Sequence, residues 1–214
     1  MKKLFVYTVG LLSFALVLSA TDEPKMQTFL GYNLTRFNPS SGYTPSFNAN
    51  GGGGQFVYNF SHWIGGVFDM GVATKGTLRG APIDSTVINF VAGPRFAWHN
   101  HSRFIPYGEV LFGGAYTTAS AQITALPLFG PVVSPAGIVP SGVPLTVRVN
   151  SSHTGFAMLA GGGLDIRISK HMSFRPVGAD YYLTHLPDLL TGGSASNRNN
   201  FRYTAGVNFW FGAR

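Results

Sequence analysis

A chain of 214 residues without cysteine makes one domain, or one domain with an export signal, and it carries no disulfide framework and no thiol chemistry. Charged residues are 11% of the chain against the roughly 25% of a soluble domain, while aromatics reach 14% and glycine numbers 28, a balance that favours strands and tight turns in apolar surroundings. The formal charge of +7 raises nucleic acid as a partner, but the Lys and Arg residues are scattered and no nucleic-acid motif spacing occurs, so none is expected.

In chain order, Lys2 and Lys3 precede an apolar run from Leu4 to Leu18, then Ser19-Ala20 and an abrupt polar change at Thr21-Asp22-Glu23. That order predicts a signal peptide over 1–20, a short segment 21–25 and a barrel domain over 26–214. Removing two lysines leaves the remainder near 7 − 2 = +5. The apolar run is too short to span a bilayer, and no later stretch reaches the length of a membrane-crossing helix.

Period-two alternation then predicts eight strands near 27–37, 52–60, 64–74, 86–98, 104–117, 153–168, 172–183 and 200–212. The fourth segment puts Ile88, Phe90, Ala92, Pro94, Phe96 and Trp98 on one face and Val87, Asn89, Val91, Gly93, Arg95 and Ala97 on the other. The last segment repeats this, with Phe201, Tyr203, Ala205, Val207, Phe209 and Phe211 against Asn200, Arg202, Thr204, Gly206, Asn208 and Trp210. A soluble sandwich would turn the aromatic face inward and show many charges outside. Here the second face is small and polar, with few charges of both signs. The predicted fold is therefore all-β: an antiparallel, up-and-down transmembrane β-barrel of eight strands.

On that parity Asp69, Arg95, Glu109, Asp165, Arg167 and Arg202 converge on the lumen. An eight-stranded lumen is just wide enough for side chains to fill it, and buried ions of opposite sign must pair. A structural salt-bridge network is expected there, in preference to an acid/base pair for catalysis. Arg175 and Asp180 break the pattern: they have opposite parity across Pro176 and Gly178, so either a bulge separates them or one faces out.

Connections alternate in length. Short links fall at 61–63, 99–103 and 169–171, and long ones at 38–51, 75–85, 118–152 and 184–199. Outer-membrane barrels have short periplasmic turns and long extracellular loops, which predicts both termini in the periplasm. The link 118–152 holds Pro127, Pro131, Pro135, Pro140 and Pro144 and one charge, Arg148. It reads either as an element that binds an extracellular ligand or covers the barrel mouth, or as a strand extension with a loose tip.

The C-terminal stretch Asn199 to Gly212, with Gly161-Gly162-Gly163-Leu164-Asp165 and Phe174 to Tyr181, resembles the OmpA-like outer-membrane β-barrel superfamily over 26–212. The resemblance implies insertion by the outer-membrane assembly machinery, contact with outer-membrane lipid and lipopolysaccharide, and a lumen network of ion pairs. Two features depart from it. Phe211 is followed by Gly212-Ala213-Arg214 where the superfamily's insertion signal ends on an aromatic, and no peptidoglycan-binding segment follows, so cell-wall tethering is not expected.

Other motifs are weak. His99 and His101, with His62, His153, His171 and His185, lack the ligand spacing of a metal site. His171-Met172-Ser173 faintly resembles the His-x-Ser of barrel lipid A deacylases but lacks the acidic orienter. Gly51 to Gly54 and Gly161 to Gly163 open no helix and carry no P-loop Lys. No cofactor and no enzymatic activity are expected. The function expected is a structural or surface-interaction role, with a small solute channel as the alternative and a lipid-modifying enzyme as a weaker one.

Overall fold

A computed structural model describes residues 24–38, 46–76, 83–99, 102–125, 132–134, 137–139, 145–186 and 196–213. The predicted signal segment 1–20 and parts of the long connections lie outside the described residues. Among the described residues there are ten strands: β1 Pro24–Phe37, β2 Phe47–Asn59, β3 Ile64–Lys75, β4 Ile83–Ala97, β5 Phe104–Ala125, β6 Val132–Ser134, β7 Gly137–Val139, β8 Leu145–Arg167, β9 Met172–Leu186 and β10 Ser196–Ala213. Eight of them close an antiparallel barrel in the order β1-β10-β9-β8-β5-β4-β3-β2, and β6 pairs with β7 in a separate small hairpin.

The barrel begins at Pro24, two residues before the predicted start. Pro24 pairs with Ala213 at the closing seam, and a first strand position suits a residue with no N–H to give.

Alternation sets the two faces. On β4 the buried positions are Ser85, Val87, Asn89, Val91, Arg95 and Ala97, while Phe90, Phe96 and Trp98 stand outside at 43%, 55% and 55% exposure. The same outward face carries Leu30, Phe56, Phe68, Met70, Phe112, Phe156, Phe174 and Val177 around the circumference. Ile88 and Trp98 are ten residue steps apart. At ~3.3 Å per residue and a tilt of ~40°, that run spans ~25 Å along the barrel axis, the height of the apolar band of a membrane barrel.

Tight turns gather at one end, and each uses a serine in the same way. Ser61 Oγ accepts from the N–H groups of Trp63 and Ile64 (3.3 and 3.2 Å), Ser102 Oγ from that of Phe104 (3.1 Å) and Ser169 Oγ from that of His171 (3.2 Å). A serine hydroxyl held two residues upstream fixes a short reversal locally, so these links need no length. Beside them the Trp63 and Trp98 rings lie 4.6 Å apart, and Lys25 Nζ sits 5.8 Å from the Tyr58 ring. Aromatics of this kind mark the level where lipid headgroups begin.

At the opposite end β5 and β8 outrun their neighbours. Their ladder continues in register from Phe104↔Ile166 to Ala125↔Leu145, whereas β4 leaves β5 at Ile83↔Ala121 and β9 leaves β8 at Phe156↔His185. Much of the predicted link 118–152 is therefore ladder, with β6 and β7 beyond it. The five prolines mislead here only in part, because Pro127, Pro131, Pro135, Pro140 and Pro144 all fall outside the paired run.

β9 contains one extra residue. Thr204↔Gly178 is followed by Gly206↔Arg175, and Leu164↔Val177 by Ile166↔Phe174, so the ladders on both sides skip at Arg175-Pro176. This bulge changes the phase of the alternation, and Arg175 and Asp180 both point inward, at 0% and 2% exposure.

Candidate functional site: the ion-paired lumen

The inward face of the barrel brings together residues from seven strands. Asp165 (β8) accepts from Arg95 Nη2 (β4) at 2.8 Å and from Arg175 Nε and Nη2 (β9) at 2.7 and 3.2 Å. Arg202 (β10) grips Asp69 (β3) with both terminal nitrogens at 2.8 and 3.0 Å and gives Nε to Asp180 (β9) at 3.0 Å. The paired fork on Asp69 is the geometry in which guanidinium and carboxylate bind most strongly.

Gln55 (β2) joins the two groups. Its amide nitrogen donates to Asp69 (3.0 Å) and to Glu109 of β5 (2.8 Å), and its oxygen accepts from Arg175 Nη1 (2.8 Å). Asn89 donates to Asp69 at 2.7 Å. Glu109 is held more loosely, with Arg95 Nη1 at 4.0 Å from its Oε2. Tyr107 lies between two cations, its ring 3.7 Å from the Arg95 guanidinium and 4.3 Å from that of Arg175, which also covers Phe29 at 4.2 Å. The cluster thus sets four carboxyl groups against three guanidinium groups, all at 3% exposure or less.

Glycines make the room. A Cβ on Gly161 would meet the Asp180 carboxylate and the Ala179 carbonyl, and one on Gly163 would lie 2.8 Å from the Tyr107 hydroxyl. The run Gly161 to Gly163 is a packing device, and no phosphate cradle forms there.

Apolar residues complete the filling. Phe37 lies 5.4 Å from Phe47 and 6.2 Å from Tyr182 at the long-loop mouth, and Val91, Leu111 and Leu159 continue that cluster inward. Ala97, Ile105, Tyr107 and Trp210 pack together toward the tight turns.

Of the six charges assigned to the lumen from sequence, Asp69, Arg95, Glu109, Asp165 and Arg202 meet in this cluster. Arg167 does not join them. It lies two residues beyond Asp165, toward the tight-turn rim, and its guanidinium rests 5.0 Å from the Trp210 ring with no ion pair among the described residues. Sequence reasoning left Arg175 and Asp180 open and passed over Gln55. The signal for Gln55 was present: it shares the inward parity of Phe29 and Asp69, and it faces both across the ladders.

The weaker motifs fall apart in space. His171 is exposed in its turn while Ser173 is buried facing the lumen, so the His-x-Ser pair shares no face. Among the described residues no group of three or more His, Asp or Glu side chains is arranged to hold a metal ion, and His101 lies outside them.

No protein-family model matches the chain, and no curated protein matches it in sequence. Solved structures do match. Ail, the attachment invasion locus protein of Yersinia pestis, gives a TM-score of 0.56 at 16% identity, covering 88% of this chain and 99% of its own. Ail in complex with the heparin analogue sucrose octasulfate gives 0.54 at 18% identity, with 88% and 99% covered. Neisserial surface protein A gives 0.55 at 12% identity, with 87% and 97% covered. Likeness at these identities speaks for architecture, and together with the closed β1-to-β10 sheet it shows that the chain has the fold of the small eight-stranded outer-membrane barrels.

Proposed function

We propose that the chain is an outer-membrane protein, exported by the segment 1–20 and inserted by the outer-membrane assembly machinery, whose closed barrel is a scaffold for surface interaction at its long-loop end. The observation that carries this reading is the inversion of solvents. Large apolar side chains face out around the circumference, and seven acidic and basic groups are sequestered at the centre. An apolar exterior of this height suits lipid, and lipopolysaccharide is the lipid beside its outer half.

The lumen supports a scaffold over a channel. Its polar centre is cross-linked from β3 to β10 and from β4 to β9 through β8, and the Phe37, Phe47 and Tyr182 rings stand above it. Recognition then falls to what projects, chiefly the β5–β8 ladder from Thr118↔Ser152 to Ala125↔Leu145. The sucrose octasulfate complex of Ail is a parallel for ligand binding on this fold.

Purified protein reconstituted in planar bilayers tests the reading. The expected result is no stable stepwise conductance from the native barrel. Reproducible single-channel steps, abolished by heat unfolding, would replace the scaffold with a solute channel. Cell fractionation checks the compartment: the protein should sediment with outer-membrane markers and begin at Thr21.

A further inference from the structure

Above the apolar belt, the outward face of β4, β5 and β8 changes character abruptly. Register places Asp84, Ser120 and Asn150 side by side in one row and Thr86, Thr118 and Ser152 in the next. One row lower stand Ile88, Tyr116 and Thr154, and below that Phe90, Gly114 and Phe156. The two upper rows line a shallow depression of about 480 Å³, floored at its lower edge by the Tyr116 ring, which is 38% exposed. That volume lies within the range of small-molecule sites.

The lining selects a chemistry. Six hydroxyls, those of Thr86, Tyr116, Thr118, Ser120, Ser151 and Ser152, donate and accept, one amide does both, and one carboxylate accepts, which is the complement of a surface of alternating hydroxyl groups. The Tyr116 ring offers an apolar face against which the C–H side of a pyranose can lie. Among the described lining residues the one charge, Asp84, is negative, and a carboxylate there disfavours phosphate and sulfate groups. We infer that this depression is a binding site for an uncharged saccharide segment, supplied either by the glycan of a neighbouring lipopolysaccharide or by a free oligosaccharide. The site looks sideways, just above the lipid belt, and so is reachable from both sources. The inference rests on the surface-interaction reading of this end, but conductance bears on that reading alone, so either can fail without the other.

The test is amide NMR of the full barrel. In detergent micelles, maltotetraose and lacto-N-tetraose are titrated against the protein, with sucrose octasulfate as the polyanionic comparator. In nanodiscs, lipopolysaccharide with a complete core is compared with a core-truncated form. Shifts centred on Thr118, Ser120, Asn150 and Ser152 with a neutral oligosaccharide support a free-glycan source, and shifts only with complete-core lipopolysaccharide support the lipid-borne one. Ser120→Ala with Ser152→Ala should weaken whichever interaction is seen by about tenfold through the loss of two hydrogen bonds. Tyr116→Leu should weaken it separately, and heat-modifiable migration confirms that both variants fold. No shift at these amides with any neutral probe or with complete-core lipopolysaccharide overturns the inference, as does a response to sucrose octasulfate alone.

Discussion

Asp165 is the residue on which the lumen depends most heavily, and its replacement by Asn tests the reading of the cluster directly. The wild-type carboxylate receives three hydrogen bonds, from Arg95 at 2.8 Å and from Arg175 at 2.7 and 3.2 Å, and Arg175 is fully buried. Asn keeps the shape and removes the charge. Arg95 is then left with Glu109 at 4.0 Å, and Arg175 with the neutral oxygens of Gln55 at 2.8 Å and Asn208 at 3.5 Å. Breaking one buried pair by removing a partner costs about 3–5 kcal/mol, and two guanidiniums lose theirs here, so the upper end of that range is expected. Urea unfolding of the barrel in phospholipid vesicles, followed by tryptophan fluorescence, reads the difference. Arg167→Met is the internal comparison: its guanidinium lies 5.0 Å from the Trp210 ring and has no ion pair among the described residues, so about 1 kcal/mol or less is at stake. A loss below about 1 kcal/mol for Asp165→Asn, or equal losses for the two variants, would refute the claim that buried ion pairing organises the lumen. Replacing Arg95, Glu109, Asp165 and Arg175 together by apolar residues of similar volume should recover most of the loss, because the ions that remain, Asp69, Asp180 and Arg202, stay paired with one another.

Ala92→Arg places a charge near the middle of the belt and should cost about 2–4 kcal/mol in vesicles, whereas Thr86→Arg, above the belt, should cost about 1 kcal/mol or less. Equal costs would remove the lipid-facing assignment. Gly161→Val drives methyl groups into the Asp180 carboxylate and the Ala179 carbonyl and should abolish the heat-modifiable folded form. Gly52→Ala, whose added carbon would lie 3.5 Å from the Gly31 carbonyl, should fold normally on the same gel. Deleting Pro176 leaves Arg175, Gly178 and Asp180 in strict alternation, so that variant should still fold. Deleting Ala160 from the unbroken part of β8 should prevent folding, because no extra residue nearby absorbs the change of face.

Strand positions and facing were legible because a membrane barrel uses its sequence with a period of two and little else. Phe90 against Arg95, or Phe201 against Arg202, assigns lipid and lumen without any knowledge of partners. What alternation cannot supply is the stagger between distant strands. Nothing local says that Arg202 meets Asp69, or that Arg167, of the same parity as Asp165, stops short at Trp210. Depth along the axis decides that, and depth follows from how the strands are staggered around the barrel. The bulge at Pro176 was visible as a conflict of phase, and only the two ladders resolve it. The β5–β8 extension was one of two readings left open for 118–152, for a different reason. Its outward residues turn polar above the belt, so the amphipathic signature fades at Thr118 although the ladder continues to Ala125.

Arg202 comes from the last strand to be made, and the acid that it grips most fully lies 133 residues earlier. A nascent sheet that has β3 and β9 but not yet β10 therefore holds two carboxylates with no guanidinium to answer them. Only arrival of the final strand, at the correct stagger beside β1, supplies the one guanidinium that the two carboxylates share. A barrel shut one strand short, or slipped by a residue pair, would carry the deficit into the bilayer, where it cannot be relieved by water. The last strand thus completes the ion pairing of the centre at the same step that closes the sheet.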